Sequence, residues 1–175
     1  TPERHDGLHP ILHWHLGPVL YEVGQDRLNA VGATMAGRIE ALVLDSSPDE
    51  EADGWGAIVT ALTLDDSRND EIQGRIDEAV ADGRQVLALT GRVEHADSMA
   101  ARRPWAVSVT SGVAKKKRAD LIDRVRSGEI RCMWATSLAD EGLDIPSLDT
   151  LVLTTPHRVM PRLQQQAGRI MRPCP

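Results

Sequence analysis

From residue 85 onward, short apolar runs alternate with helical patterns, and that alternation leaves few folds open to the chain. Strands are expected over 85–90, 106–110, 130–135 and 150–154, and helices over 94–102, 114–126 and 161–171. Runs such as Val86-Leu87-Ala88-Leu89 carry no polar residue on either face, as a strand covered on both sides requires. A helix between consecutive strands supplies the crossover that parallel pairing needs. The expectation is an α/β domain with a mainly parallel central sheet.

The first half is less regular. Strands are expected over 17–23 and 38–44, a short helix over 25–31, and an acidic loop over 45–53 broken by Pro48. Two helices should follow, over 55–64 and 70–81, the second opening after Asp66-Ser67 with acids in its first turn, where the helix dipole favours them. At 175 residues the chain can bury roughly 70% of its unfolded surface, enough for one sizeable core. Phe is absent and aromatics make up 3%, so Leu, Val, Ile and Ala must fill that core.

The net charge of -6 argues against a protein that coats nucleic acid by bulk electrostatics, so any such contact must be local. The 17 arginines and 3 lysines are as compatible with a GC-rich genome as with selection for function. Cys132 and Cys174 form neither a disulfide framework nor a zinc site, and Cys132 sits within an apolar strand where a buried thiol is the simple reading. His5, His9, His13 and His15 cluster near the start, but their spacing suits neither a zinc finger nor an H-E-x-x-H helix. No run approaches 18 apolar residues and no signal layout opens the chain, so no membrane partner and a cytoplasmic location are expected.

In an open parallel sheet, ligands sit outside the carboxyl ends of the strands. Thr90, Arg92, Thr110, Gly112 and Thr136 lie at or just past those ends, where hydroxyls, backbone N–H groups and a guanidinium can hold a sugar-phosphate backbone without reading sequence. Each has an alternative as a turn or cap residue, and Arg92 as an ion pair with Glu94 or Asp97. Lys115, Lys116, Lys117 and Arg118 form the densest positive run, either a nucleic-acid contact or a solvated helix face balanced by Asp120, Asp123 and Glu129. Further on, the turn holding Gly142 and Asp144 allows close backbone approach and a hydrogen bond to a sugar hydroxyl. Arg169 and Arg172, three residues apart, share one helix face and suit phosphoryl oxygens, although bare spacing more often marks a solvated or salt-bridged face.

These residues resemble the second RecA-like domain of superfamily 2 helicases and translocases, in the DEAD/DEAH, XPB-like branch. Ala135-Thr136 through Gly142-Leu143-Asp144-Ile145-Pro146 resembles motif V, and Gln165 through Arg172 matches the motif VI pattern Q-x-x-G-R-x-x-R at every specified position. The run from Val86 through Thr90-Gly91-Arg92 to His95 resembles motif IV, Val109-Thr110-Ser111-Gly112 the strand end and threonine-glycine turn after it, and Thr1-Pro2-Glu3-Arg4 the tail of motif III. The helix between the first two core strands is short for the family.

The resemblance implies a RecA-like three-layer domain in which residues 1–82 form the interdomain crossing and the start of the domain. Residues 83–175 then carry motifs IV, V and VI. It implies ATP with Mg2+ as cofactor, Arg169 and Arg172 as catalytic arginines toward the γ-phosphate, and Gln165 placing the phosphates or the attacking water. Gly142, Asp144 and Gly168 would line the nucleotide site. Thr136, Gly112, Thr110, Arg92, Lys115 and Lys116 would meet nucleic acid, DNA in preference to RNA.

Neither a G-x-x-x-x-G-K-[ST] phosphate loop nor a D-E-x-[HD] box occurs in the chain. The family carries both, and most of the metal binding, in a first RecA-like domain, so the sequence reads as half of an ATP hydrolase, running from the domain junction to just past motif VI. The alternatives are a non-catalytic module that binds nucleic acid or protein, and the motor part of a restriction-type nuclease.

Overall fold

The computed structural model describes residues 9–34, 37–44, 54–136 and 145–156. Within them the order is α1 (His9–Leu16), α2 (Gln25–Ala30), α3 (Trp55–Leu64), α4 (Asp66–Ala81), β1 (Val86–Leu89), α5 (Val93–Ala100), β2 (Ala106–Val109), α6 (Lys115–Arg126), β3 (Cys132–Ala135) and β4 (Thr150–Leu153). The four strands form one sheet in the order β2-β3-β1-β4, and every pairing is parallel.

Side chains alternate across a strand, and here the alternation divides the core in two. Leu87, Leu89, Met133, Ala135 and Val109 point to one face, where they meet Leu121 and Val125 of α6. Val86, Ala88, Cys132 and Trp134 point to the other, against Ile72 and Ile76 of α4 and Ala96, Met99 and Ala100 of α5. The domain is therefore a helix–sheet–helix sandwich, the RecA-like three-layer arrangement expected. Full burial of one such Leu, Ile or Met side chain contributes about 1.5–3 kcal/mol, so these two clusters carry most of the favourable term.

With no Phe available, Trp134 is the largest fully buried side chain among the described residues. It lies in one cluster with Ala96, Met99 and Ala100 of α5, and its ring meets His95 edge-on with centroids 5.6 Å apart. Burial, followed by the nearby Asp77, pushes the Cys132 thiol up, which makes it an inert core group.

Element ends follow local chemistry. The Asp65 side chain accepts from the Arg68 backbone N–H at 3.0 Å, so α4 starts at Asp66 and not at 70 as the sequence pattern suggests. Gly83 (φ 86°) and Gly128 (φ 79°) take the left-handed conformation just past the ends of α4 and α6, where a side chain would be strained.

The strands expected over 17–23 and 38–44 are absent; both segments lack regular structure. Val19, Leu20, Ile39 and Val43 are all exposed, and Leu44 alone among these apolar residues packs against the α4/α5 cluster. An alternating pattern does not make a strand without a neighbour to take its backbone hydrogen bonds, and neither segment has one among the described residues.

Candidate nucleic-acid interface

The strand register decides where the candidate residues meet. Leu89 lies level with both Ala135 and Leu153, and Val109 with Ala135, so all four strands end at one height. The next residue of each chain segment is a threonine, giving the row Thr110, Thr136, Thr90, Thr154 across the carboxyl edge.

The β1/β4 half of this edge is closed. Thr90 is buried, its hydroxyl 2.8 Å from Nδ1 of His95, and Nε2 of the same ring lies 2.9 Å from Oδ1 of Asn69. Asn69 Nδ2 donates to the Thr63 carbonyl at 3.0 Å, which orients Oδ1 as the acceptor for His95. The neutral ring therefore carries its proton on Nε2 and accepts from Thr90 at Nδ1. Burial first, then the charges of Arg68 and Arg102, lower the His95 pKa from 6.5 to about 4.

Arg68, next to Asn69, donates from Nη2 to the Thr154 carbonyl and from Nη1 to the Leu62 carbonyl at 3.2 Å. Thr154 turns its own hydroxyl back onto the Leu89 carbonyl at 2.9 Å. The corner between α3 and α4 is thereby fastened over the ends of β1 and β4. Gly91 accommodates it: a Cβ there would lie 3.0 Å from Cγ1 of Val59 and 3.4 Å from Oγ1 of Thr155.

Arg92 belongs to the same fastening. Its guanidinium donates to the Gly56 carbonyl at 2.7 Å and to the Thr60 hydroxyl at 3.1 and 3.2 Å, both on α3. Neither Glu94 nor Asp97 takes it in the bonds described, so the ion pair offered as the alternative reading of Arg92 gives way to a clamp on a helix. Thr90 is thus buried, whereas Arg92 is half-buried and makes its bonds at the surface.

The β2/β3 half is different. Thr110 is buried, Thr136 is half-buried at the end of β3, and Gly112 is exposed in the turn after β2. A Cβ on Gly112 would meet nothing within 4 Å among the described residues, and its backbone angle is not one that demands glycine. The described residues give no steric or conformational reason for glycine at this position. Arg118 turns inward and donates to the carbonyls of Thr110 at 3.3 Å and Val113 at 3.0 Å, holding that turn. Lys115, Lys116 and Lys117 are exposed in the first turn of α6. Of the four basic residues, one supports the site and three face solvent beside it.

Sequence reasoning passed over Arg68, Asn69, His95 as a hydrogen-bonding centre, and Thr154. A signal for two of them was present. Asn69 lies on the stripe of α4 that buries Ile72 and Ile76, and His95 on the stripe of α5 that buries Met99, so each is a polar residue at a core position that needs a partner.

Gly142, Asp144, Gln165, Gly168, Arg169 and Arg172, with the helix expected over 161–171, lie outside the described residues, as does His5. His13 and His15 are exposed at the end of α1, and no three potential ligands come together to hold a metal among the described residues. No described helix is long and apolar enough to cross a membrane.

Known proteins resemble the chain in sequence and in fold. The chain is 25% identical over 154 residues to the ATP-dependent DNA helicase RecG of Acidithiobacillus ferridurans, a match covering 79% of this chain and 22% of that protein. The helicase domain of Hef from Pyrococcus furiosus superposes with a TM-score of 0.51 at 25% identity, covering 67% of this chain and 26% of the other. A fragment assigned as the HsdR subunit of a type I restriction enzyme from Vibrio vulnificus YJ016 superposes with a TM-score of 0.70 at 19% identity, covering 98% of this chain and 35% of that one. The chain thus spans about a fifth of the length of RecG. The model of the helicase conserved C-terminal domain matches residues 69–174, more than half of the chain and all of the sheet described above, and the chain belongs to that family.

Proposed function

We infer that this domain is the second RecA-like half of an ATP-dependent nucleic-acid helicase or translocase. The observation that carries the reading is the β2/β3 end of the sheet, where exposed Gly112, half-buried Thr136 and the three exposed lysines of α6 lie near one another on a member of the helicase C-terminal family. Gly112 and Thr136 would follow the sugar-phosphate backbone, while Lys115 and Lys116 would add a local positive field to an otherwise acidic protein. Thr110 would support the turn, and Arg92 would act from its clamp on α3. RecG is a DNA helicase, which favours DNA as the strand.

Gly142, Asp144 and Gly168 would line one side of the nucleotide, and Arg169, Arg172 and Gln165 would reach the γ-phosphate across a cleft. A first RecA-like domain would supply the phosphate loop and most of the Mg2+ ligands. The purified 175-residue chain should then show no ATP turnover above the no-protein rate in a steady-state phosphate-release assay. Turnover that disappears on Arg169→Ala would mean that the nucleotide site is complete within this domain.

Binding should be weak and indifferent to sequence. It should fall steeply with salt, with log K changing by about -0.7 per log unit of salt for each phosphate contacted on a single strand. Gly112→Val should weaken binding of a fluorescent single-stranded oligonucleotide in an anisotropy titration while moving stability within about 0.5 kcal/mol, since the new side chain points into open space. Unchanged affinity would remove Gly112 from the interface. Tight, salt-independent binding would remove the electrostatic reading altogether.

A second reading, the motor part of a restriction-type nuclease, is favoured by the likeness to the HsdR fragment, which alone of the three reported likenesses extends through nearly all of this chain. It shares the same site and differs in what is appended to the motor.

A further inference from the structure

The start of α6 departs from what ordinarily stabilises the first turn of a helix. A side-chain oxygen just before the helix usually accepts from a free backbone N–H, and acids in the first turn complement the helix dipole. Here Ala114 holds the capping position and makes no side-chain cap, and the first turn contains no acid. Lys115, Lys116 and Lys117 instead bring three positive charges to the positive end of the dipole. Departures of this kind collect at functional or strained sites.

Without a capping side chain, the side-chain bonds that tie the preceding turn to this helix come from Arg118. The turn Thr110-Ser111-Gly112-Val113 closes on itself through the Val113 N–H, which donates to the Thr110 carbonyl at 3.1 Å. Val113 packs against the core cluster that joins the sheet to α6, so neither closure nor packing of the turn needs Arg118, and Ser111 and Gly112 stay exposed at its tip. Nη2 of Arg118 then donates to the carbonyls of Thr110 at 3.3 Å and Val113 at 3.0 Å, one on each side of that tip. This arrangement costs free energy, since the Nε of Arg118 is buried with no partner among the described residues.

We propose that Arg118 is a positioning residue for the strand interface: bonded to both ends of the turn, it fixes the tip at Ser111 and Gly112 relative to the lysines of α6 and so raises affinity for a single strand. The proposal rests on the nucleic-acid reading given above. A segment already held in its binding conformation loses less entropy on association, which is how preorganisation raises affinity. A planar guanidinium can serve two carbonyls at fixed angles, where an ammonium is a single point.

The test uses the 175-residue chain in anisotropy titrations with a fluorescent single-stranded oligonucleotide at several salt concentrations, with melting temperatures measured alongside. Arg118→Ala is expected to lower affinity by roughly three- to tenfold at every salt concentration while leaving the slope of log K against log salt unchanged, because a positioning residue neutralises no phosphate. Its melting temperature should move little, since the buried unpaired N–H leaves together with the two bonds. Lys116→Ala, which removes a direct charge, should instead make the slope shallower by about 0.7. Arg118→Lys keeps the charge and should recover a part of the lost affinity. In a Gly112→Val background the Arg118→Ala change should have little further effect, because the tip it places is already obstructed.

A slope shallower by about 0.7 in Arg118→Ala would make Arg118 a direct phosphate contact and overturn the proposal. Full multiplication of the affinity losses in the double variant would also overturn it, as would unchanged affinity on Gly112→Val, since the tip would then meet no strand. Should Arg118→Ala fail to fold, Arg118→Lys decides alone: affinity equal to that of the unsubstituted protein would overturn the requirement for the fork. If the unsubstituted protein shows no salt-dependent binding, the nucleic-acid reading falls and this proposal with it. If Gly112→Val and Lys116→Ala weaken binding while the folded Arg118 variants do not, that reading stands and the proposal alone falls.

Discussion

Alanine in place of Arg169 or Arg172, in a protein that joins this domain to a phosphate-loop domain, is expected to lower nucleic-acid-stimulated ATP turnover by roughly 10³-fold or more. An arginine delivered across a cleft to the γ-phosphate neutralises charge that develops as the phosphoryl group is transferred, and a low-dielectric cleft makes that interaction far stronger than it would be in water. The loss should appear in kcat, with KM for ATP moving less, because the contact is made mainly in the transition state. Stability should change by no more than about 0.5 kcal/mol if both side chains stand at a rim and support no core. Measuring melting temperature beside turnover separates the two roles. Variants that melt many degrees lower, or that retain near-normal turnover, would assign these arginines to structure.

His95→Ala is expected to destabilise the domain itself by about 2–4 kcal/mol, combining a cavity with two buried polar groups left without their partner. His95 is 3% exposed, its two ring nitrogens bond to Thr90 and Asn69, and the ring meets Trp134 edge-on. The same residue gives the native domain a characteristic acid sensitivity. Its folded pKa of about 4 lies below the ordinary 6.5, so between those values the unfolded chain holds a proton that the folded chain does not. The stability associated with His95 is therefore fully present above about pH 6.5 and is lost progressively as the pH falls toward 4. Denaturant unfolding at pH 7.5, 6, 5 and 4.5 should show this decline in the native chain and a shallower one in the alanine variant. Parallel pH profiles for the two would mean that the imidazole is not held neutral by this network.

Periodicity was sufficient for the repeating half of the domain. All four core strands and the helices α5 and α6 fall within two residues of the positions expected, because each is a short apolar run or stripe bounded by Gly or a polar cap, and burial on both faces of a parallel sheet writes itself directly into composition. The same logic failed over 17–23 and 38–44. There the pattern is as strand-like as in β4, but a strand is a property of a pair, and the alternation of one segment says nothing about whether a neighbour exists.

At the candidate site, residue type was legible and role was not. Thr90, Thr110 and Thr136 could be picked out because they follow apolar runs, and motif spacing singled out Gly142, Asp144, Gln165, Gly168, Arg169 and Arg172. Sequence could not say that the strands end level, which is what sets the threonines in a row, nor that Thr90, Thr110 and Thr154 are buried while Thr136 is half-buried. Arg92 shows the difference most clearly: a guanidinium two residues from a carboxylate reads as an ion pair, yet it bonds to a helix more than 30 residues earlier in the chain. What the amino-acid sequence determined by itself is therefore the local content, namely which segments are apolar enough to be core strands and which carry phosphate-directed chemistry, since both depend on neighbours in the chain. What only the tertiary structure decided is which of those groups stay available, because a donor such as Arg68, Asn69 or Arg92 bonds to the nearest acceptor in space, and register and helix packing determine which one that is.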